Sequence, residues 1–260
     1  MENKINVYEV YHTFMGEQNI YGIGAPVIFL RLGGCHIRCY KKTLGTLCDT
    51  PHVLTKGCGT DKTVLEIVNW LKEVRARTGI NLICVSGGEP LFRDKDSLIE
   101  LFNALLFHFN VVVETSGIDY KVSPFLIECK HNKNRLSFVI DYKGHSAGIP
   151  NYDKRGILYD EEELKSLDKF QTIKFVIYDD KDYTQFKRKL ADFRKVNKKV
   201  RIVVGPFWCG EIPLIELSDR LAKDKLYRHV ALNMQAHKLA LTQEVVLKVG
   251  NDLNFDKIQI

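Results

Sequence analysis

From residue 26 onward, short runs of β-branched and other apolar residues alternate with longer stretches whose apolar residues recur every three or four positions. Several short runs are apolar on both faces, which is typical of strands buried in a parallel sheet, and the longer stretches indicate crossover helices. The predicted strands are Val27–Leu32, Leu82–Ser86, Val111–Thr115, Leu136–Asp141, Thr172–Tyr178, Val200–Val204 and Val230–Asn233. This pattern predicts an α/β chain organised as a full or partial barrel.

The sequence also predicts the helices, one N-terminal strand and the number of domains. Thr63 followed by Glu66 forms a capping box and predicts the start of the first helix. The run Val7–Tyr11 precedes the alternating pattern and is predicted to add a strand at the edge of the sheet. Because no Pro-, Gly- or Ser-rich linker and no internal repeat interrupts the pattern, we expect residues 1–260 to form a single domain. Further helices are predicted over Ser97–Phe107, Glu161–Leu167, Tyr183–Val196 and Ile215–Leu221.

Composition agrees with a folded chain of ordinary core size. Hydrophobic residues make up 45% of the 260 residues and charged residues 27%, which excludes disorder as the main state. No apolar stretch approaches the roughly 20 residues needed to cross a bilayer, so no membrane partner is expected. The first ten residues lack the apolar core of a secretory signal, and a cytoplasmic protein is therefore predicted.

The net charge of +6 is a mild excess spread along the chain. The densest basic run, between Lys187 and Lys199, is interrupted by Asp192 and is typical of a solvated helix face. Nucleic acid is therefore not an expected partner.

Cysteine is the residue type that first indicates chemistry. The count of seven is odd and no secretory signal is present, which argues against a disulfide framework and favours metal ligation for clustered thiols. Cys35, Cys39 and Cys48 lie close together and suit a soft metal. A zinc site would be completed by Cys58 or His52, whereas a [4Fe–4S] cluster on three cysteines would leave one iron open to another ligand. Spacing alone leaves both interpretations open.

A second motif follows the strand Leu82–Ser86, which ends in Gly87-Gly88-Glu89 and a proline. In barrels of this class, active residues gather where strands end. Paired glycines let a ligand approach the backbone closely, and a carboxylate at a strand end can hold a cationic amine. Alone, this segment is only a turn that carries a glutamate.

Taken together, the cysteine loop and the Gly-Gly-Glu-Pro turn resemble the radical S-adenosylmethionine (SAM) superfamily. A narrower resemblance, to the 7-carboxy-7-deazaguanine synthase family of the queuosine and 7-deazapurine pathway, covers most of the chain. The segments that carry it are Thr13–Glu17, Gly22–Arg31, Cys48–Thr50, Val113–Gly117 and Gln235–Lys238.

The resemblance implies a partial (β/α)6-type radical SAM barrel with an added N-terminal strand. It implies a lyase that converts 6-carboxy-5,6,7,8-tetrahydropterin into 7-carboxy-7-deazaguanine with loss of ammonia. The implied cofactors are a [4Fe–4S] cluster, SAM and Mg²⁺. The implied partners are the small-molecule pterin, a reducing protein such as flavodoxin or ferredoxin, and a second copy of the chain in a homodimer.

Residue roles follow from the same resemblance. The implied metal ligands are Cys35, Cys39 and Cys48 for the cluster and Thr50 for Mg²⁺. The implied cofactor-binding residues are Leu47, Cys48, Asp49, Gly87, Gly88, Glu89, Ser116, Asp141, Tyr142 and Lys143. The implied substrate-binding residues are Phe14, Met15, Gly16, Glu17, Arg31, Ser86 and His237. Of the residues near the substrate, the implied catalytic ones are Glu17, Arg31, Glu114 and His237.

The sequence departs from the family pattern in three ways. Eight residues, Tyr40 to Leu47, separate the second and third cysteines where the superfamily has two. Such a loop insertion costs little, because closure entropy grows slowly with loop length. Leu47 stands where the family has an aromatic residue, and Met15 where it has glutamine.

Other functions compete with the implied one. A different radical SAM activity, such as a protein-radical activase, would use the same cysteine loop, and a zinc-binding module would use the thiols without catalysis. Structural roles compete at single residues as well. Arg31 could pair with Glu17, Glu114 could cap a network at the barrel mouth, and His237 could be a satisfied rim histidine.

Overall fold

The computed structural model describes residues 4–40, 45, 50–129 and 133–236. Four residues with expected roles, Leu47, Cys48, Asp49 and His237, lie outside these ranges.

The described residues form one nine-stranded sheet with helices along it. The strands are β1 (Lys4–Phe14), β2 (Pro26–Leu32), β3 (Thr60–Thr63), β4 (Leu82–Gly87), β5 (Asn110–Thr115), β6 (Leu136–Tyr142), β7 (Thr172–Ile177), β8 (Arg201–Pro206) and β9 (Ala231–Leu232). The α-helices are α1 (Val64–Thr78), α2 (Lys95–His108), α3 (Ser123–Glu128), α4 (Tyr152–Arg155), α5 (Glu161–Ser166), α6 (Asp180–Val196) and α7 (Leu214–Lys223). Short 3₁₀ turns lie at Pro51–Val53, Lys133–Arg135, His145–Ala147 and Ile157–Tyr159.

The strand order is β3-β1-β2-β4-β5-β6-β7-β8-β9. In this spatial order, every neighbouring pair from β2 to β9 is parallel. Strand β1 is antiparallel to both of its neighbours, β3 and β2. The sheet does not close on itself. This confirms the predicted α/β class and the partial barrel with an added N-terminal strand.

The N-terminal strand differs from the prediction in place and length. It was predicted over Val7–Tyr11 at the edge, but it covers Lys4–Phe14 and lies inside the sheet, because Thr60–Thr63 pairs with its first residues. Those four residues are polar and carry no apolar alternation, so the strand they form has no signal in the hydrophobic pattern.

Two helices begin earlier than predicted because an aspartate caps each of them. Asp94 accepts a hydrogen bond from the backbone N–H of Ser97 at 2.9 Å, and Asp179 accepts one from that of Asp182 at 2.9 Å. Both are ordinary N-cap contacts, which satisfy backbone donors that the helix itself leaves unpaired. The predicted capping box at Thr63 is confirmed. The last strand is shorter than predicted and covers only Ala231–Leu232.

Apolar residues pack on both faces of the sheet. The larger cluster lies between the sheet and the helices, as expected for crossover connections. A smaller cluster lies on the inner face and is called the floor here. Its buried members are Met15, Val27, Leu82, Cys84, Val112 and Val139.

Within the described ranges, no helix is long and apolar enough to span a bilayer.

Candidate active site

A layer of polar side chains follows the floor on five neighbouring parallel strands. Since side chains at i and i+2 point to the same face of a strand, Ser86, Glu114 and Asp141, each two places beyond a floor residue, point to the same side as the floor. The strand register pairs Arg31 with Ser86 and Asp141 with Lys174, so these residues stand at matching heights. The members of this polar layer are Arg31, Ser86, Glu114, Asp141 and Lys174.

Glu114 is the carboxylate of this layer that titrates near neutrality. Its Oε2 accepts a hydrogen bond from the Ser86 hydroxyl at 3.0 Å. Burial inside the barrel, followed by the negative charge of Glu17, raises the pKa of Glu114 to about 7. A group with such a pKa can hold or release a proton at physiological pH.

A chain of ion pairs crosses the same layer. The Lys174 ammonium lies 2.5 Å from Oε2 of Glu17 and 2.9 Å from Oδ1 of Asp141, and the Lys143 ammonium lies 2.5 Å from Oδ2 of Asp141. Burial opposes ionisation of both lysines, but the neighbouring acidic groups, of which Asp141 acts most strongly, together raise the pKa of each. Burial also opposes ionisation of Asp141, but Lys143 and Lys174 lower its pKa. Asp141 and the two lysines therefore stay charged at neutral pH.

Arg31 is held by two residues of β1. One guanidinium nitrogen donates to the Glu9 carboxylate and the other donates to the Tyr11 hydroxyl at 2.7 Å. The guanidinium carbon also lies 5.2 Å from the centre of the Tyr11 ring. Arg31 thus forms an ion pair with Glu9, which the sequence analysis did not name as its partner.

The loop after β1 closes one side of the site. Phe14 ends β1, and Met15 is fully buried in the floor, where its side chain lies beneath the polar layer. The backbone carbonyl of Gly16 accepts a hydrogen bond from the N–H of Ala236 at 2.8 Å. The side chain of Gln235 donates to Oε1 of Glu17 at 3.1 Å. This loop and the segment after β9 therefore meet at the barrel mouth.

The cysteine loop lies directly on the Gly-Gly-Glu turn. The N–H of Gly88 donates to the carbonyl of Leu32 at 3.1 Å, and the N–H of Glu89 donates to that of Gly34 at 3.0 Å. A Cβ on Gly88 would lie 2.2 Å from the Gly34 oxygen, and one on Gly87 would lie 2.1 Å from the Leu32 oxygen. Both glycines are therefore required by close backbone approach.

Two thiols of this loop have described positions. Cys35 is half-buried and Cys39 is buried. Arg93 holds the start of the loop, because its guanidinium donates to the carbonyl of Gly33 and, at 3.0 Å, to that of Glu89. Soft thiol donors on a loop fixed in this way fit an iron–sulfur cluster, with Cys48 outside the described ranges.

The zinc alternative finds no support within the described part of the chain. No group of three or more His, Cys, Asp or Glu side chains there is arranged to hold a metal ion. The zinc interpretation also requires Cys48, which lies outside the described residues. The His52 ring lies 5.2 Å from that of Tyr8.

The Glu89 carboxylate joins the ends of β4 and β5. Its Oε1 accepts hydrogen bonds from the N–H of Leu91 at 3.0 Å and from the Thr115 hydroxyl at 2.7 Å. Its Oε2 accepts from the N–H of Ser116 at 2.8 Å and from the Ser116 hydroxyl. A carboxylate has about four acceptor positions, and all four are occupied here, so a further donor would have to replace one of the present donors. The Ser116 hydroxyl is the donor that can be replaced, because a hydroxyl group can rotate toward another acceptor.

Tyr142, an expected cofactor-binding residue, stands apart from the polar layer. Tyr142 is 2% exposed and belongs to the core on the helix side, where its hydroxyl lies 2.8 Å from that of Tyr159. Strand alternation explains this, because Asp141 and Lys143 point to the opposite face. Thr50 is half-buried and precedes the 3₁₀ turn Pro51–Val53.

Sequence reasoning missed three residues of the site. Lys174 is a lysine within a buried apolar strand, and that anomaly was a usable signal. Glu9 and Tyr11 alternate with core residues along β1, but nothing in the sequence indicated that their side chains would meet Arg31.

Replacing Gly88 by alanine should displace the cysteine loop, because the new methyl group would overlap the Gly34 carbonyl. We expect a free-energy loss of at least about 1–3 kcal/mol, as for other overpacked sites, together with a large loss of bound iron. Thermal unfolding and iron content after anaerobic reconstitution measure the two effects. Gly24→Ala is the control, since its φ of +85° brings backbone strain while its Cβ would meet nothing within 4 Å. Equal iron content in both variants would contradict the prediction.

Comparison with known proteins finds several relatives that share one name. The 7-carboxy-7-deazaguanine synthase of Clostridium acetobutylicum is 31% identical over 219 residues, which cover 83% of this chain and 87% of the relative. The enzyme of the same name from Leptospira interrogans is 30% identical over 251 residues, which cover 92% of this chain and 96% of the relative. No family model matches the chain.

Solved structures share the fold. QueE from Escherichia coli superposes with a TM-score of 0.60 at 20% identity, over 90% of this chain and 95% of that one. Streptococcus suis SuiB bound to S-adenosylmethionine superposes with a TM-score of 0.52 at 16% identity, over 76% of this chain and 47% of that one.

Proposed function

Because the chain belongs to the 7-carboxy-7-deazaguanine synthase family, we propose that it converts 6-carboxy-5,6,7,8-tetrahydropterin into 7-carboxy-7-deazaguanine with loss of ammonia. One observation carries the proposal. The cysteine loop lies on the Gly-Gly-Glu turn, beside a polar layer that contains a positive group, Arg31, and a proton-exchanging group, Glu114. A small polar acid can be bound and protonated there.

The cofactors of this family are a [4Fe–4S] cluster and SAM, which when bound together supply a 5′-deoxyadenosyl radical. Cys35 and Cys39, with Cys48, would hold the cluster. The backbone of Gly87 and Gly88 would receive the SAM amino group.

Three further residues would complete the cofactor site. Glu89 would contribute to holding the amino group if the Ser116 hydroxyl turns away from it. Asp141 and Lys143, fixed to each other, would present a paired charge to the remainder of the cofactor.

The substrate would lie on the floor, below the barrel mouth. Arg31 is the natural partner for its carboxylate because a guanidinium can meet two oxygens at once. Glu9 and Tyr11 fix the plane of that guanidinium, so the carboxylate would meet a group that is already oriented. Glu17 and Ser86 would border the ring, with Met15 beneath it.

Glu114 would serve as the proton donor of the reaction. Loss of ammonia requires a proton on the departing nitrogen, and a carboxyl whose pKa is about 7 carries one in a large part of the molecules at neutral pH. The Ser86 hydroxyl fixes the position of the carboxyl group.

Anaerobic reconstitution tests this function. We expect broad visible absorption from an iron–sulfur cluster, SAM cleavage under reduction, and 7-carboxy-7-deazaguanine by mass spectrometry when the pterin is added. SAM cleavage without conversion of the pterin would instead favour a protein-radical activase. Bound zinc without iron would favour a binding module.

We also propose Mg²⁺ as a cofactor, held by Thr50 and the substrate. One neutral hydroxyl cannot hold Mg²⁺, which prefers six oxygen ligands and keeps several waters, so the substrate must supply further oxygens. Mg²⁺ should bind weakly to the SAM-loaded enzyme and much more tightly once the pterin is present. Thr50→Val should lower turnover and spare SAM cleavage without substrate.

Titrating Mg²⁺ into wild type and Thr50→Val, each with and without the pterin, measures this coupling. Thr50→Ser is the matched control, because it keeps the hydroxyl and should keep the response to Mg²⁺. If wild type and Thr50→Val respond alike, the metal role is wrong and Arg31 must hold the carboxylate without it.

On the same family grounds, we propose that the enzyme is a homodimer and receives electrons from flavodoxin or ferredoxin. Sedimentation equilibrium tests the first point, and turnover with each purified reductant tests the second.

A further inference from the structure

Lys174 is a buried cation that touches both halves of the proposed site. It is 8% exposed, and the register of β6 and β7 places it directly beside Asp141. Its ammonium contacts Oε2 of Glu17 at 2.5 Å and Oδ1 of Asp141 at 2.9 Å. Glu17 belongs to the substrate side of the proposed site and Asp141 to the cofactor side.

The second oxygen of each carboxylate is also engaged. Oδ2 of Asp141 accepts from Lys143 at 2.5 Å, and Oε1 of Glu17 accepts from the Gln235 amide at 3.1 Å. A continuous series of hydrogen bonds, most of them charge-assisted, therefore runs from Lys143 on the cofactor side to Gln235 at the barrel mouth. Lys174 is its central member, because it joins the two carboxylates directly.

Charge balance makes this link costly to break. Three carboxylates, those of Asp141, Glu17 and Glu114, act electrostatically on Lys174, together with the second lysine, Lys143. Removing one partner of a buried ion pair leaves the other charge uncompensated. The neighbouring carboxylates together raise the pKa of Lys174 despite its burial, so it acts as a fixed positive charge at neutral pH.

We propose that Lys174 is a positioning residue that couples SAM binding to substrate binding by tying Glu17 to Asp141. This rests on the proposed function, since it assigns the two carboxylates to the substrate and cofactor sides. A ligand that orders Asp141 also orders Lys174 and, through it, Glu17. By linkage, the pterin must then strengthen SAM binding by the same factor by which SAM strengthens pterin binding.

The test compares wild type with Lys174→Met, which keeps the length of the side chain and removes its charge. SAM affinity is measured by calorimetry on the reconstituted, unreduced enzyme, with and without saturating pterin, so that no turnover occurs. In wild type the pterin should tighten SAM binding about fivefold or more, as in other coupled sites. In Lys174→Met this factor should fall close to one, and Lys174→Arg should restore much of it.

Glu17→Gln provides a second route if Lys174→Met folds poorly. It breaks the same link from the substrate side, so it should lose the coupling factor as well, and the double variant should lose no more than either single one. A coupling factor near one in wild type, or an unchanged factor in the variants, would overturn the proposal. Wild type that binds the pterin and forms product while showing no coupling refutes only this inference. Wild type that neither binds nor converts the pterin refutes the proposed function itself.

Discussion

Replacing Cys35 or Cys39 by alanine is expected to abolish bound iron and turnover. Each thiolate would hold one iron of the cluster, and the described part of the chain offers no other metal-binding group that could replace it. Alanine fits either position without steric conflict, so the fold should persist. Iron per chain after anaerobic reconstitution and the circular dichroism spectrum measure the two outcomes.

Cys58→Ala is the matched control for this experiment. Its sulfur packs against the start of the cysteine loop, at 2.7 Å from where a Cβ on Gly33 would lie, but we assign it no role as a ligand. It should keep its iron. Loss of iron in Cys58→Ala, with retention in Cys39→Ala, would reverse the assignment of the ligands.

Glu114→Gln is expected to lower kcat by about 10²–10⁴, the usual contribution of a general acid. Glutamine keeps the shape but cannot release a proton to the departing nitrogen. In wild type, kcat should fall as the pH rises through about 7, because the active form is the protonated carboxyl. In Glu114→Gln the residual rate should lose this dependence. SAM cleavage without substrate should change little, since Glu114 lies on the substrate side.

Ser86→Ala tests the assignment independently. The Ser86 hydroxyl favours the ionised carboxylate and so lowers the pKa of Glu114. Its removal should move the fall in kcat to higher pH. If the fall in kcat occurs at the same pH in Ser86→Ala as in wild type, or if it is still present in Glu114→Gln, the titrating group is not Glu114.

Most elements were predictable because their signals are local. The parallel strands were found as apolar runs, and the observed bounds differ from the predicted ones by one or two residues, as at β2 and β8. The N-terminal strand was wrongly predicted at the edge of the sheet, because its position depends on whether another strand pairs with it. Thr60–Thr63 closes that edge through backbone hydrogen bonds, which any sequence can form.

The candidate site was predictable only in part. The paired glycines and the cysteines carry chemistry in their identity and spacing, and the structure brings the two segments into contact. The family resemblance implied a cofactor-binding role for Tyr142 together with Asp141 and Lys143, but strand alternation turns the Tyr142 side chain into the helix-side core.

The sequence by itself determined the class of fold, the approximate positions of most strands and helices, and the residue types available for soft-metal and carboxylate chemistry, because each depends on a local pattern. The tertiary structure determined the partners of the buried charges. Lys174 meets Glu17, 157 residues away, and Arg31 meets Glu9. A buried charge requires some opposite charge, and its sequence does not specify which one. The curvature and register of the sheet decide that, because they alone set which side chains lie within hydrogen-bonding distance.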